Sequence, residues 1–243
     1  MRGVARVRKG GHVPATPRRI RAGFVLAGSL LVIGLLGTSG CTGIEPAGAA
    51  GAAGNDLVSE VADRLAGAGG QSWTATYRLA GGETARITRS QRPARIAYAF
   101  PSGNLIRTPD ALTKCATAGA ETVCTATDPH GAPDELPATA GLVTPDTVLA
   151  LLNAAAIDPD LAVQTRETTI AERTASCLRL GGVDHVPAPD FDVCVTVEGA
   201  IAGFTGTVAG TPVEMVLTDY QARAGDHDFT MPPGARFVDR RAD

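Results

Sequence analysis

Residues 73–100 read WTATYRLAGGETARITRSQRPARIAYAF, and the alternation of side chains in this stretch decides the fold. A period of two is the pattern of β-strands with one buried face and one wet face. Gly81-Gly82 interrupts the pattern and predicts a turn, and a third strand follows Pro93. The stretch therefore predicts short antiparallel strands joined by hairpins. Its apolar face carries Trp73, Ala75, Tyr77, Leu79, Ala85, Ile87, Ile96, Tyr98 and Phe100.

The period of two returns in later parts of the chain. Pro101-Ser102-Gly103-Asn104 is interpreted as a turn, and the hairpin after it is expected to contain Cys115 and Cys124. In total nine or ten strands are expected, most of them with one apolar face. The later ones are predicted at residues 161–169, 174–180, 191–198, 201–208 and 213–220.

Two segments have the helical period instead. The first helix is predicted to begin with Asn55-Asp56 as its N-cap and to end at Gly67. The second is predicted to begin with Thr144 as its cap and Pro145 in its first turn, where proline loses no hydrogen bond. Two helices and nine or ten strands indicate an α+β fold.

So many antiparallel strands with one apolar face are expected to curl into a strongly curved sheet, an open half-barrel wrapped around the two helices. Aromatic residues make up only 4% of the chain, so a sparsely filled concave side is expected. Such a concavity is a candidate pocket for a hydrophobic ligand, although the helices and side chains could also fill it. The candidate lining residues are Trp73, Tyr77, Ile96, Tyr98, Phe100, Val195, Met215 and Leu217.

Residues 18–41, RRIRAGFVLAGSLLVIGLLGTSGC, have the order of a bacterial lipoprotein export signal: a basic head, an apolar run and small residues before a cysteine. The apolar run from Phe24 to Leu36 would rise only roughly 20 Å as a helix, which is short for a membrane span. The tetrapeptide ending at Cys41 resembles the lipobox, although Thr38 stands where leucine is usual. Residues 1–40 are therefore predicted to be cleaved, and Cys41 to carry the acyl chains that anchor the protein.

This signal predicts the extracytoplasmic face of a bacterial cell membrane as the location. Two alternatives stay open: a signal retained as a membrane span, and a released protein with an unmodified Cys41. Arg18-Arg19 also leaves the twin-arginine export route open beside the general secretory one.

A low-complexity segment, TGIEPAGAAGAAG at residues 42–54, is predicted to be a flexible tether between Cys41 and the folded part. A single domain is expected at residues 55–239, with a short tail at 240–243. Seven of the chain's 22 basic residues lie before Cys41, so 15 remain against 25 acidic residues, a formal charge of −10. An acidic body of this kind argues against a nucleic-acid partner, because binding of phosphates requires Lys and Arg.

Four cysteines follow Cys41, and in an exported domain an even set usually forms disulfides. Three connectivities exist, and Cys115–Cys124 with Cys177–Cys194 is favoured because each pair brackets a glycine-containing stretch between strand-like runs. Alternation also places Cys177 and Cys194 on the polar face of their strands. The spacings of eight and sixteen intervening residues match no common zinc site. Cys41 is then the unpaired cysteine, as acylation requires.

No common catalytic, nucleotide-binding or metal-binding motif occurs after Cys41. Three histidines stand beside aspartates in predicted loops, where solvated residues are more common than metal ligands or proton shuttles. Three arginines close to a strand turn could meet a lipid phosphate or simply form a wet strand face. We therefore predict no catalytic residue, no metal and no cofactor, and we expect that the protein is not an enzyme. The six residues are His130, His185, His227, Arg89, Arg92 and Arg95.

The order of parts resembles the LolA-like superfamily, which includes LolA, the amino-terminal domain of RseB and the LprG/LppX-type lipoproteins of high-GC Gram-positive bacteria. The features that carry the resemblance are Cys41, the first helix, the strands of residues 73–100, the helix near Thr144 and the closing segment FTMPPGARFVD at residues 229–239. The resemblance implies an open, strongly curved antiparallel barrel around helices, with an apolar cavity that holds acyl chains in several members. It transfers no individual ligand contact.

Together these features predict a non-catalytic, membrane-anchored lipoprotein that binds a lipid or another hydrophobic ligand in the cavity of its curved sheet. The resemblance to RseB suggests an alternative, a sensor or scaffold domain that binds a membrane protein partner.

Overall fold

The alternating segments pair into one sheet of 12 strands in a computed structural model that describes residues 48–129, 135–159 and 161–241, with side chains from residue 54 onward. The strands of the first half are β1 (Trp73–Leu79), β2 (Thr84–Gln91), β3 (Ala94–Phe100), β4 (Gly103–Arg107), β5 (Leu112–Ala118) and β6 (Glu121–Thr127). Those of the second half are β7 (Ala162–Ile170), β8 (Arg173–Gly181), β9 (Phe191–Thr196), β10 (Ile201–Val208), β11 (Thr211–Gln221) and β12 (Arg236–Asp239).

Several of the sequence predictions concern residues outside these ranges. The signal peptide of residues 1–40, Cys41 with its acyl chains, the start of the tether and His130 all lie there. Those predictions, and the domain boundaries that depend on them, stay predictions.

The sheet is curved and open, with β12 and β7 at its two edges, and the predicted α+β class is confirmed. The strand order is β12-β6-β5-β4-β3-β2-β1-β11-β10-β9-β8-β7. Ten of the eleven pairs of neighbouring strands are antiparallel. All of these except β1–β11 join strands that are consecutive in the chain. The remaining pair is parallel, because the chain returns from the far side of the sheet to place β12 beside β6.

The prediction of nine or ten strands was too low. The strands that had no predicted counterpart are β4 and β12, the two shortest of the sheet. Residues 101–104 were interpreted as a turn, but Gly103 is already the first residue of β4, with φ +156°. A side chain at Gly103 would lie against the backbone of Cys115, so the glycine permits the close approach of β5. The four-residue β12 lies in the closing segment, whose pairing depends on a strand more than 100 residues earlier.

The first helix, α1 (Gly48–Gly67), begins seven residues before its predicted N-cap. The prediction of Asn55-Asp56 as a cap was wrong, and residues 48–54 of the predicted tether are helical. Alanine has the highest helix propensity of all residues, and four of these seven residues are alanine. Asn55 lies inside the helix, and its side chain donates a hydrogen bond to the carbonyl of Asp158.

The second helix, α2 (Pro145–Ala156), begins as predicted. Thr144 has extended backbone angles, and its hydroxyl accepts a hydrogen bond from the N–H of Thr147 at 3.0 Å. Pro145 occupies the first turn. The predicted capping of this helix is therefore confirmed.

Both helices contribute their apolar faces to one core that also contains the inward side chains of the sheet. The helices run in opposite directions, because Asn55 of α1 reaches the carboxyl end of α2 while Leu65 of α1 lies near Pro145. The helix residues buried in this core include Val58, Val61, Leu65, Val148, Leu151 and Leu152.

Both predicted disulfides are present. Cys115 and Cys124 are directly opposite in the β5–β6 hairpin, and Cys177 and Cys194 are directly opposite on β8 and β9, with Cα separations of 4.0 and 3.9 Å. They lie on the outer face of the sheet, because they alternate with inward residues such as Leu112 and Leu178. Each bridge therefore joins two strands close to one edge of the open sheet.

Candidate ligand groove

The eight residues predicted to line a cavity are all buried in the core between the sheet and the helices. Met215 and Val195, for example, have no exposed surface. Only Trp73 among the eight borders one of the pockets described for this structure, a small one of about 130 Å³ beside the end of α1. The structure therefore brings these residues together as packed core, and their contact with a ligand stays a prediction.

The core contains a polar group without a visible role. The Tyr77 hydroxyl is fully buried and has no hydrogen-bond partner among the described residues. Burial raises the pKa of Tyr77 far above its usual range, with a smaller contribution from the charge of Tyr220. The phenol is thus neutral at all physiological pH values and adds no charge to the interior.

The largest of the described pockets is an open groove of about 550 Å³, which we name the α2 groove. It lies between the segment that leads into α2, the first turns of α2 and the β10–β11 hairpin. Most of its lining is aliphatic. The lining residues are Glu135, Leu136, Pro137, Ala138, Leu142, Val143, Thr144, Asp146, Thr147, Ala150, Val208, Ala209, Thr211 and Val213.

Local backbone geometry explains why apolar residues reach this groove. A 3₁₀ turn at Ala138–Ala140 ends at Gly141, which has φ +69° and packs against the Leu79 side chain. This left-handed residue redirects the chain so that Leu142 and Val143 are buried immediately before the α2 cap. They form the inner part of the groove.

The opposite wall is the end of the β10–β11 hairpin. Val208 pairs with Thr211 across the turn, and both turn residues, Ala209 and Gly210, have positive φ. The N–H of Ala209 donates to the carbonyl of Pro187, so the hairpin end is held by the neighbouring loop. Val213 lies inward from this end and is buried.

The ionisable side chains that line the groove are Glu135 and Asp146, both exposed carboxylates. No arginine, lysine or histidine lines it among the described residues. The hydroxyls of Thr144 and Thr147 lie 2.8 Å apart, and the former also caps the helix. The groove thus offers an aliphatic surface with an acidic rim, which suits the burial of an apolar chain.

The arginine cluster near the strand turn has a structural role at one of its members. Arg95 donates to Asp226 at 2.7 Å and lies over the Phe229 ring at 4.3 Å. Phe229 packs in turn against Ala97 and Ile106 on the outer face of the sheet. Arg95 therefore helps to hold the segment before β12 against the sheet. Arg92 is exposed, and Arg89 borders the small pocket beside Trp73.

The described histidines do not form a centre with several carboxylates. His227 is 82% exposed, with its Nε2 atom 3.6 Å from Asp228, and that carboxylate also accepts from Arg86. His185 is exposed in the loop before β9. Within residues 48–129, 135–159 and 161–241, no group of three or more His, Cys, Asp or Glu side chains is arranged to hold a metal ion.

The helices of this part of the chain are not membrane spans. Neither α1 nor α2 combines the length and the apolar character that a span requires, and the same is true of every other described helix.

Sequence reasoning missed the α2 groove. Leu142, Val143 and Val213 are not among the residues that the sequence analysis selects as candidates. The apolar pair directly before a helix cap was a signal, because such residues need a surface to cover. Their proximity to the β10–β11 hairpin depends on tertiary structure and has no local signature.

Comparisons with known proteins assign no family to this chain. No family model matches the chain, and no curated protein matches it. Among solved structures, an uncharacterized conserved protein from Thermus thermophilus is 13% identical, with a TM-score of 0.45 over 76% of this chain and 99% of that one.

MucB is 14% identical with a TM-score of 0.45, over 75% of this chain and 66% of that one. MucB in complex with MucA(peri) is 16% identical with a TM-score of 0.37, over 73% of this chain and 62% of that one. We draw nothing about ligands or partners from similarities at this level. The open antiparallel sheet with two helices is the architecture that a LolA-like protein was expected to have, and membership of that superfamily stays a prediction.

Proposed function

We propose that the protein is a non-catalytic, membrane-anchored extracytoplasmic lipoprotein that binds a lipid or another hydrophobic molecule in the α2 groove. The observation that carries the proposal is the groove itself, about 550 Å³ of mainly aliphatic surface open to solvent. Ligand pockets typically have volumes of roughly 300–1,000 Å³ and apolar linings with a few polar groups. An acyl or prenyl segment has the shape and the chemistry of this site.

The expected driving force is burial of methylene groups. Each CH₂ contributes roughly 0.8 kcal/mol when it leaves water, so ten contribute on the order of 8 kcal/mol before the cost of association. If about 3 kcal/mol are lost to ordering, roughly 5 kcal/mol remain, which corresponds to a dissociation constant on the order of 0.1 mM. A bound chain would also cover Leu136 and Val208, which are only partly buried.

The proposed extracytoplasmic location rests on the sequence, and the disulfides are consistent with it. The two disulfides are typical of proteins that fold in an oxidising compartment. Cys41 is the one cysteine that they do not use. These features support export, and the lipobox-like tetrapeptide supports anchoring through acyl chains on Cys41.

One feature favours the alternative function, recognition of a membrane protein partner. The edge strand β7 has nine residues, most of them exposed, and β8 is its partner on one side only. The open edge of such a strand can accept an extended peptide as an additional strand. A partner crosslinked to β7 in a protein that carries no lipid would support this alternative over the lipid-binding function.

The lipid-binding proposal is tested by a substitution that blocks the groove with a large side chain. Ala150 is an exposed groove residue on α2, and Asn153 is an exposed residue of the same helix that does not line the groove. Ala150→Trp should fill the groove and weaken binding of a fluorescent sixteen-carbon acyl ester at least tenfold, as measured by titration. Asn153→Trp is the matched control and should bind like the wild type. Equal affinity of both variants would place the binding elsewhere.

A further inference from the structure

We infer that the α2 groove selects hydrophobic ligands whose polar end carries no negative charge. This inference rests on the proposed function and adds the chemical class of the ligand's head group. Neutral esters, alcohols and glycosides fit it, as do cationic amines, while carboxylates and phosphates do not.

The rim of the groove carries charge of one sign. Glu135 precedes the aliphatic segment, and Asp146 lies in the first turn of α2. Both side chains are exposed, and neither forms an ion pair with another residue that the structure describes. A head group at the mouth would therefore meet two carboxylates.

Among the described residues that line the groove, the amino terminus of α2 is the one positive feature, and it is too weak to reverse this sign. A helix amino terminus corresponds to about half a positive charge. Asp146 places a full negative charge in the same turn, and the Thr144 hydroxyl already occupies the N–H of Thr147. With Glu135 added, the rim has a net charge of roughly −1.5.

No cationic side chain belongs to the groove lining among the residues that the structure describes. Arg89 borders, together with Asp146, the separate small pocket beside Trp73, and it is absent from the groove lining. The chain after residue 40 has 15 basic and 25 acidic residues, so the long-range field opposes an anion as well. Thr211 and Thr147 line the groove with hydroxyls that can donate to an ester or sugar oxygen.

The test uses three probes with the same tail and different heads: pyrene-dodecanoic acid, its methyl ester and the corresponding amine. The titrations use the full chain with Cys41→Ser, in which residue 41 carries no acyl groups. At pH 7.5 and low salt, the ester and the amine should bind at least tenfold more tightly than the acid. Raising the salt concentration should narrow the difference between the amine and the acid, because exposed charges are screened.

The variants Glu135→Gln and Asp146→Asn identify the source of this selectivity. Each should improve binding of the acid severalfold relative to binding of the ester, and the double variant should bind both alike. Glu135→Gln lies outside the helices, so it tests the inference without altering α2.

The outcomes separate the two levels of the proposal. Equal affinity of acid and ester in the wild type would overturn the head-group inference and leave lipid binding intact. Selectivity that both variants retain would also overturn it, since the carboxylates would not be its cause. Absence of binding by all three probes would overturn the proposed function itself.

Discussion

Gly199→Ala is expected to destabilise the protein by about 3 kcal/mol. Gly199 connects β9 to β10 with φ +83°, a conformation that costs roughly 1–2 kcal/mol for a residue with a side chain. An added Cβ atom would also lie 2.3 Å from the carbonyl oxygen of Arg64 and 2.8 Å from Cβ of Ala68. Forced contacts of this kind cost roughly 1–3 kcal/mol, because α1 must move away from the sheet.

Gly82→Ala is the matched control for this prediction. Gly82 has φ +88°, but nothing lies within 4 Å of its added Cβ atom. The control therefore measures only the cost of placing a side chain on a residue with positive φ, about 1 kcal/mol. Thermal unfolding followed by circular dichroism should show a decrease in Tm of about 6–12 °C for Gly199→Ala and a much smaller one for Gly82→Ala. Equal decreases in Tm for the two variants would contradict the close contact between α1 and the β9–β10 turn.

Cys41→Ser should transfer the protein from the membrane fraction to the soluble fraction. Two acyl chains hold a protein stably on a bilayer, and without the cysteine thiol there is no site for them. The thermal stability of the domain should not change, because both disulfides are formed by the other four cysteines. Fractionation, with intact mass to detect the acyl groups, measures both results.

Thr42→Ser is a suitable control for that experiment, since it changes the neighbouring residue and leaves the thiol in place. The control should stay in the membrane fraction. Membrane association of Cys41→Ser at the wild-type level would contradict the lipoprotein interpretation, and a retained signal anchor would replace it.

The periodic parts of the fold were predictable from the sequence because their signals are local. Alternation in residues 73–100 gave β1, β2 and β3, and the inward set that includes Tyr77 and Tyr98 is buried as expected. The disulfides followed from the same alternation, since cysteines opposite each other in a hairpin share a face. Thr144 and Pro145 marked the start of α2 through the chemistry of capping.

The errors arose where the outcome depended on distant contacts or on competing local tendencies. The low complexity of residues 42–54 predicts a flexible tether, whereas the alanine-rich end of this segment forms the first turns of α1. The segment before the parallel β12 is held to the sheet by the packing of Phe229 and by the Arg95–Asp226 ion pair, which join residues more than 100 positions apart. No local sequence pattern encodes a pairing between strands that are so far apart in the chain.

The residues predicted to line a cavity are packed in the core, and their contact with a ligand stays a prediction. The inward residues of the sheet, such as Trp73 and Met215, are covered by the two helices, so the concave interior is packed around them. Open apolar surface is found instead where the segment before α2 and the β10–β11 hairpin meet. The curvature of the sheet was predictable, but the place at which the helices leave it uncovered was not.

Native mass spectrometry of the Cys41→Ser protein, purified without added lipid, tests the lipid-binding function most directly. The substitution removes covalent acyl groups, so any extra mass belongs to a bound molecule. We predict additional mass on the wild-type groove, recovery of the same apolar molecule by solvent extraction, and loss of both in Ala150→Trp but not in Asn153→Trp. An unliganded mass for the protein with the wild-type groove, together with no uptake of an added acyl ester, would contradict the proposed function.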